Sequence, residues 1–199
     1  LTTQGFITNL FGSSFGTRTQ YGVVSYRADT GEGNVIQMFG GEVGSWDIIF
    51  DFQTTYGQAL FSGVHFESDP TGKTDPPTII KSVASQNAIG ASAKFDSCYF
   101  SYSSNNFLNT TKKIVDYHMG SNLTFSNNRF NHQNPVIDIS GGGGEGQSAT
   151  FENNSWEYAP DMDAVTDVLL INEHYIHQNK KKSYGEDIKS SPSTTKLGH

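Results

Sequence analysis

Two acidic residues, Asp96 and Glu152, occupy the same position in two similar stretches of the sequence. Each directly follows a phenylalanine, in KFDSCYFS from residue 94 and in TFENNSWE from residue 150. A pair of carboxyl groups can hydrolyse a glycosidic bond when the two lie about 5 to 5.5 Å apart for retention, or about 6.5 to 9.5 Å apart for inversion. The two residues are therefore candidates for an acid and a base, provided that the fold aligns them.

A second set of side chains could carry out β-elimination on a uronate. That reaction needs a cation or an amide to neutralise the sugar carboxylate, and a base that removes the neighbouring proton. Arg129 is the candidate cation, and Tyr99 and His132 are candidate bases. Residues at neighbouring outward positions of the same stretches are candidates for holding a long polymer: Glu67, Tyr102, Glu157 and Tyr158.

A repeated phrase determines where these residues lie. Two aromatic residues five apart occur four times, and the first aromatic of each copy is residue 61, 95, 125 or 151, so that the copies start 34, 30 and 26 residues apart. These intervals fall within the range of roughly 20 to 45 residues that is typical of solenoid repeats. LFGSSF, from residue 10, is a weaker fifth copy.

Each copy has a bend at its centre. Gly63, Ser97, Asn127 and Asn153 stand midway between the aromatic residues, and Gly and Asn tolerate the left-handed backbone of a tight bend. Each copy is therefore predicted to form two short strands that meet at a corner. Apolar runs between the copies are predicted to form the other wall of each rung: WDIIFDF from 46, TIIKSVA from 78, KIVDYHM from 113 and PVIDIS from 135.

Stacking of such rungs would place equivalent residues in columns about 4.8 Å apart. Phenylalanines would then stack on phenylalanines inside, and asparagines would hydrogen-bond to asparagines at the corner. Asp96 and Glu152 would share an outward column two rungs apart, at about 9.6 Å, which is marginal for inversion.

Composition agrees with a turn-rich β protein. The chain of 199 residues has 35% hydrophobic and 17% charged residues and 21 glycines, and a net charge of -7 argues against nucleic-acid binding. No run of 18 apolar residues predicts a membrane span. A single cysteine excludes an intrachain disulfide, and the histidines lack the spacing of a zinc site, so that no metal is predicted.

The phrases and their Asn or Gly corners over residues 59 to 158 resemble the right-handed parallel β-helix of pectate-lyase-like proteins, and among those bacteriophage tailspikes and capsule depolymerases. This resemblance implies an all-β solenoid, expected to be a fragment of a longer helix, that assembles as a homotrimer. It also implies an extracellular place on the virion tail, a bacterial capsule or O-antigen polysaccharide as partner, and no cofactor. A β-sandwich is the alternative fold.

Three functions remain open. The leading one is hydrolytic cleavage of a polysaccharide, with elimination by a lyase as the second, and a non-catalytic receptor-binding or structural spike as the third. Residues 1–177 are predicted to form the rungs with a terminal strand or cap. Residues 178–199 are polar and are predicted to form a flexible tail or linker.

Overall fold

The computed structural model describes the chain in thirteen stretches: residues 2–3, 7–15, 21–25, 34–44, 47–52, 56–68, 78–82, 90–102, 113–117, 122–131, 135–139, 149–165 and 168–177. The described residues form strands and short bends, without a helix that is long and apolar enough to cross a membrane. The predicted tail, residues 178–199, lies outside these stretches.

The described strands follow one another in seven rungs of three. Their bounds, rung by rung, are β1 (Thr2–Thr3), β2 (Ile7–Phe11), β3 (Ser14–Phe15); β4 (Tyr21–Ser25), β5 (Asn34–Phe39), β6 (Glu42–Gly44); β7 (Ile48–Phe52), β8 (Tyr56–Ser62), β9 (His65–Ser68); β10 (Thr78–Ser82), β11 (Gly90–Asp96), β12 (Tyr99–Tyr102); β13 (Val115–Asp116), β14 (Leu123–Ser126), β15 (Arg129–Phe130); β16 (Val136–Ile139), β17 (Ala149–Glu152), β18 (Ser155–Tyr158); β19 (Asp161–Val165), β20 (Val168–Ile171), β21 (His174–His177).

Each strand of a rung pairs with the corresponding strand of the next rung, which produces three seven-stranded sheets. Sheet A starts with β1, sheet B with β2 and sheet C with β3, and the strand pairs of the described residues are parallel. The chain is therefore a parallel β-helix, which confirms the predicted all-β solenoid. A β-sandwich is wrong for this chain, because its sheets would be antiparallel.

The predicted stacking of aromatic residues is confirmed. Phe95, Phe125 and Phe151 pair directly in the register of sheet B, and their ring centroids lie 4.8 and 5.1 Å apart with nearly parallel planes. The buried column of sheet C contains Phe66, Phe100, Phe130 and Trp156. Because the buried residues of neighbouring rungs pack on one another, one continuous core runs along the axis.

Three further rungs carry other apolar residues at the same spacing, and the first of them is the weaker predicted copy with Leu10 and Phe15. Met38 and Val43 continue the two columns in the second rung, and Leu170 and Tyr175 continue them in the seventh. The last of these rungs contains the strands β20 and β21, at the end of residues 1–177, where a terminal strand or cap is predicted. The four predicted runs of the other wall contain β7, β10, β13 and β16, all in sheet A.

The bend between sheets B and C adopts the predicted left-handed backbone. Ser97, Asn127 and Asn153 have φ of 55°, 58° and 55°, and Gly63 has 65°. The following residue turns inward, and for Asn128 and Asn154 this buries a side-chain amide in the corner. This corner fixes where the outward residues on either side of it lie.

Candidate functional site

Asp96 and Glu152 lie in one outward column of sheet B, as predicted, which we call the carboxylate column: Ser62, Asp96, Ser126 and Glu152. Asp96 Oδ1 accepts hydrogen bonds from the Ser126 hydroxyl at 2.7 Å and from Asn127 Nδ2 at 3.2 Å. The Ser126 hydrogen bond, assisted by Asn127, nearby Lys94 and Ser97, lowers the pKa of Asp96 below its ordinary 3.8, against the opposing effect of desolvation. An ionised carboxylate of this kind can accept a proton as a base.

The register separates Asp96 from Glu152 by two strand spacings, with Ser126 between them. Two spacings correspond to about 9.6 Å, close to the upper limit for a pair that activates water between them. The pair is much too far apart for a covalent retaining mechanism, which needs about 5 to 5.5 Å. The catalytic assignment of both residues stays a prediction.

Beyond the corner, sheet C carries a column of stacked planar groups, which we call the ring column: His65, Tyr99 and Arg129. The His65 and Tyr99 rings lie 5.2 Å apart and 10° from parallel, and Arg129 Cζ lies 5.4 Å from the Tyr99 centroid. The fold thus brings together two members of the predicted elimination set. The third, His132, lies outside the described residues.

A shallow depression of about 230 Å³ opens on sheet C beside Arg129. Its lining consists of Arg129, Phe130, Ser155, Glu157 and Ile176. Of the predicted polymer-binding residues, Glu157 lines this depression, whereas Glu67 lies three rungs away, where it pairs with Ser101.

The two predicted tyrosine contacts lie at the ends of their strands. Tyr158 is half-buried and follows Glu157 at the end of β18. For Tyr102 the structure describes the backbone, which pairs with Ser68.

Sheet A carries a charged column that the sequence analysis missed: Asp51, Lys81, Asp116 and Asp138. Lys113 bridges two of them, with Nζ 3.8 Å from Asp116 Oδ1 and in contact with Asp138 Oδ2. The sequence does contain a signal for this column, because each of its members directly follows an apolar residue of a sheet A run. These apolar residues are Phe50, Ile80, Val115 and Ile137. Asp138 is only 4% exposed and is neutralised by Lys113, which is typical of a structural ion pair.

A partly buried carboxyl group, Glu173, was also missed. Asn154 donates to Glu173 Oε1 from its backbone N–H and from Nδ2, both at 3.0 Å, and Trp156 Nε1 donates to Oε2. Burial raises the pKa of Glu173 to about 7. The hydrogen bonds from Trp156 and Asn154 lower this pKa, whereas the charge of Glu152 raises it further. Extending the repeat to Leu170 and Tyr175 would have aligned Glu173 with Asn128 and Asn154.

Among the described residues, no group of three or more His, Cys, Asp or Glu side chains is arranged to hold a metal ion. Comparisons of the chain with family models, with curated proteins and with solved structures found no match in any of the three.

Proposed function

We propose that this protein binds a bacterial surface polysaccharide along the outer wall around the corner of sheets B and C and hydrolyses its glycosidic bonds. The observation that carries the proposal is the alignment of Asp96, whose pKa is lowered, with Glu152 in one outward column. The neighbouring ring column and depression offer a polar and aromatic surface of the kind that sugars contact. A wall that repeats every rung suits an extended polymer.

In this proposal Asp96 is the general base and Glu152 is the general acid. The separation of about 9.6 Å leaves room for a water molecule beside the sugar, so that the expected outcome is inversion at the anomeric carbon. Ser126 holds Asp96 in the ionised form that accepts the proton of the water. No cofactor is required for this reaction.

The test is incubation of the protein with capsular and O-antigen polysaccharides from a panel of bacteria, read by product size. Asp96→Asn and Glu152→Gln are each expected to slow cleavage by about 100-fold or more, since each removes one proton-transfer group. Asp116→Asn, on sheet A, is the matched control and is expected to retain activity. If Asp96→Asn and Glu152→Gln cleave at the wild-type rate while Asp116→Asn loses activity, the proposed site is wrong and the charged column of sheet A carries the reaction.

Elimination is the second candidate, favoured by the position of Arg129 over Tyr99. It would give an unsaturated uronate that absorbs in the ultraviolet, and this absorbance would rise during digestion. Cleavage without that rise excludes elimination.

A non-catalytic spike is the third candidate, favoured by the wide spacing of Asp96 and Glu152. It predicts retention of the protein on a polysaccharide that stays intact after long incubation. The resemblance to tailspikes also leads us to propose a homotrimer on a virion tail, which measurement of the molecular mass in solution tests.

A further inference from the structure

The depression on sheet C coincides with a gap in the ring column. Register continues the column from Arg129 to Ser155 and then to His174. Planar side chains occupy the third, fourth and fifth rungs, whereas the sixth has only the small serine side chain. Arg129 and His174 are two strand spacings apart, about 9.6 Å, and this leaves room for one ring between them.

Two charged groups line this gap without pairing with each other. Within the described part of the chain, the interaction of the Arg129 side chain is the one with Tyr99, and the Glu157 side chain forms no hydrogen bond or ion pair. A guanidinium offers several N–H donors and a carboxylate offers only acceptors. Together they suit neighbouring hydroxyl groups, which donate and accept at once.

An apolar side chain completes the depression. Ile176 is 52% exposed and lines its edge, next to the strand that carries Glu157. An exposed isoleucine beside two charged groups matches the mixed character of a sugar ring, which has hydroxyls at its edge and C–H groups on its face.

We propose that this depression binds one neutral pyranose ring of the polysaccharide. Arg129 donates to one ring hydroxyl, Glu157 accepts from the adjacent hydroxyl, and Ile176 packs against the C–H face. A charged uronate fits less well, because the Glu157 carboxylate lies in the depression and the chain has a net charge of -7. The inference rests on the proposed function and favours hydrolysis over elimination, since elimination needs a uronate.

The test measures binding of the methyl pyranosides of glucose, galactose and mannose, and of glucuronate, by ligand-observed NMR. The polysaccharides of the panel are measured in parallel by affinity electrophoresis. Glu157→Gln is expected to weaken binding of the neutral sugar or polymer by about tenfold or more, because a charge-assisted hydrogen bond becomes a neutral one. Ile176→Ser should weaken it several-fold, and Lys81→Gln, exposed on sheet A, is the control that should bind like the wild type.

Each outcome separates this inference from the proposed function. Cleavage or retention of a polysaccharide at wild-type strength by both Glu157→Gln and Ile176→Ser overturns the inference and leaves the proposed function standing. The inference is also overturned if the protein prefers glucuronate and if this preference is lost in Arg129→Gln but kept in Glu157→Gln. Binding of a neutral pyranoside that both variants weaken, without cleavage of any polymer, supports the depression as a sugar site and rejects hydrolysis.

Discussion

At the scale of single residues, Glu173 differs from the amides that precede it in the corner column. Asn128 and Asn154 are neutral at every pH, whereas Glu173 occupies the next position with a group that titrates. Its raised pKa means that the folded chain holds the proton more tightly than the unfolded chain does. The stability of the seventh rung is therefore coupled to pH.

The sign of this coupling follows from the two pKa values. The unfolded chain releases the proton near the ordinary 4.5 and the folded chain near 7, so that the stability from Glu173 is fully present below about pH 4.5 and is lost as the pH rises to about 7. The loss is on the order of 3 kcal/mol. Urea denaturation at about pH 5 and about pH 8 measures it as a decrease in the free energy of unfolding.

Glu173→Gln should remove most of this decrease, because the amide does not titrate. Its nitrogen cannot accept the Trp156 hydrogen bond, so that the variant is expected to be about 1 kcal/mol less stable at the lower pH. Asp96→Asn is the control that should keep the wild-type decrease, since Asp96 has a lowered pKa and is ionised in both states over this range. An unchanged pH dependence in Glu173→Gln would contradict the assignment.

At the scale of elements, the corner is held by side-chain amides that act as part of the backbone. Asn128 Oδ1 accepts from the Cys98 N–H at 2.8 Å, and its Nδ2 donates to the Phe95 carbonyl and to Asn154 Oδ1, both at 3.0 Å. Cys98 lies in the bend between β11 and β12, and Phe95 is the second-last residue of β11, so that both backbone groups are at the corner of sheets B and C. The amide column thus satisfies buried groups that the two sheets leave open.

Asn128→Ala is expected to lower the free energy of unfolding by about 3 kcal/mol, because it leaves the Cys98 N–H and the Phe95 carbonyl buried without these partners. Thermal or urea denaturation measures the change. Asn127→Gly is the matched control, since Asn127 is exposed with φ of 58°, a conformation that glycine adopts without strain, and its cost should stay below about 1 kcal/mol. Equal losses in the two variants would mean that the buried hydrogen bonds contribute little.

The same elements show what a single sequence can predict. Phe95, Phe125 and Phe151 could be aligned because stacked rungs favour like residues, and the bends at Asn127 and Asn153 have a local cause that the sequence contains. The rung of Met38 and Val43 was harder to find, because any apolar side chain of suitable size fills an inward position.

For the candidate site, the shared column of Asp96 and Glu152 followed from the repeat, but the hydrogen bond from Ser126 that lowers the pKa of Asp96 did not. That bond depends on how two neighbouring side chains orient. The burial of Glu173 against Trp156 depends likewise on packing between rungs, which no local pattern records. Sequence therefore predicted the columns, and the structure was needed for the contacts within them.

At the scale of the whole molecule, the rungs pack on one another along the axis, and within the described part of the chain the first and seventh rungs have a neighbouring rung on one side only. Leu10 and Phe15, the inward residues of the first rung, are only partly buried, whereas Phe61, Phe95 and Phe125 in the middle are fully buried. Leu170 and Tyr175 in the seventh rung are only partly buried. Stability in such a stack is roughly the sum of the rungs and their nearest-neighbour contacts.

Hydrogen exchange should therefore vary along the axis. Backbone amides of β8, β11 and β14 are expected to exchange slowest, and those of β2, β20 and β21 fastest, because an end rung can open without separating the middle ones.

Glu173→Ala removes the acceptors of Asn154 and Trp156 and should accelerate exchange in β20 and β21, while β8 and β11 stay protected. Phe125→Ala, in the middle column, should instead accelerate exchange in all three central strands, since it leaves a cavity between Phe95 and Phe151. Equal acceleration of every rung by Glu173→Ala would mean that the helix unfolds as one unit, and the corner column would then transmit the loss of a single end contact along the full stack.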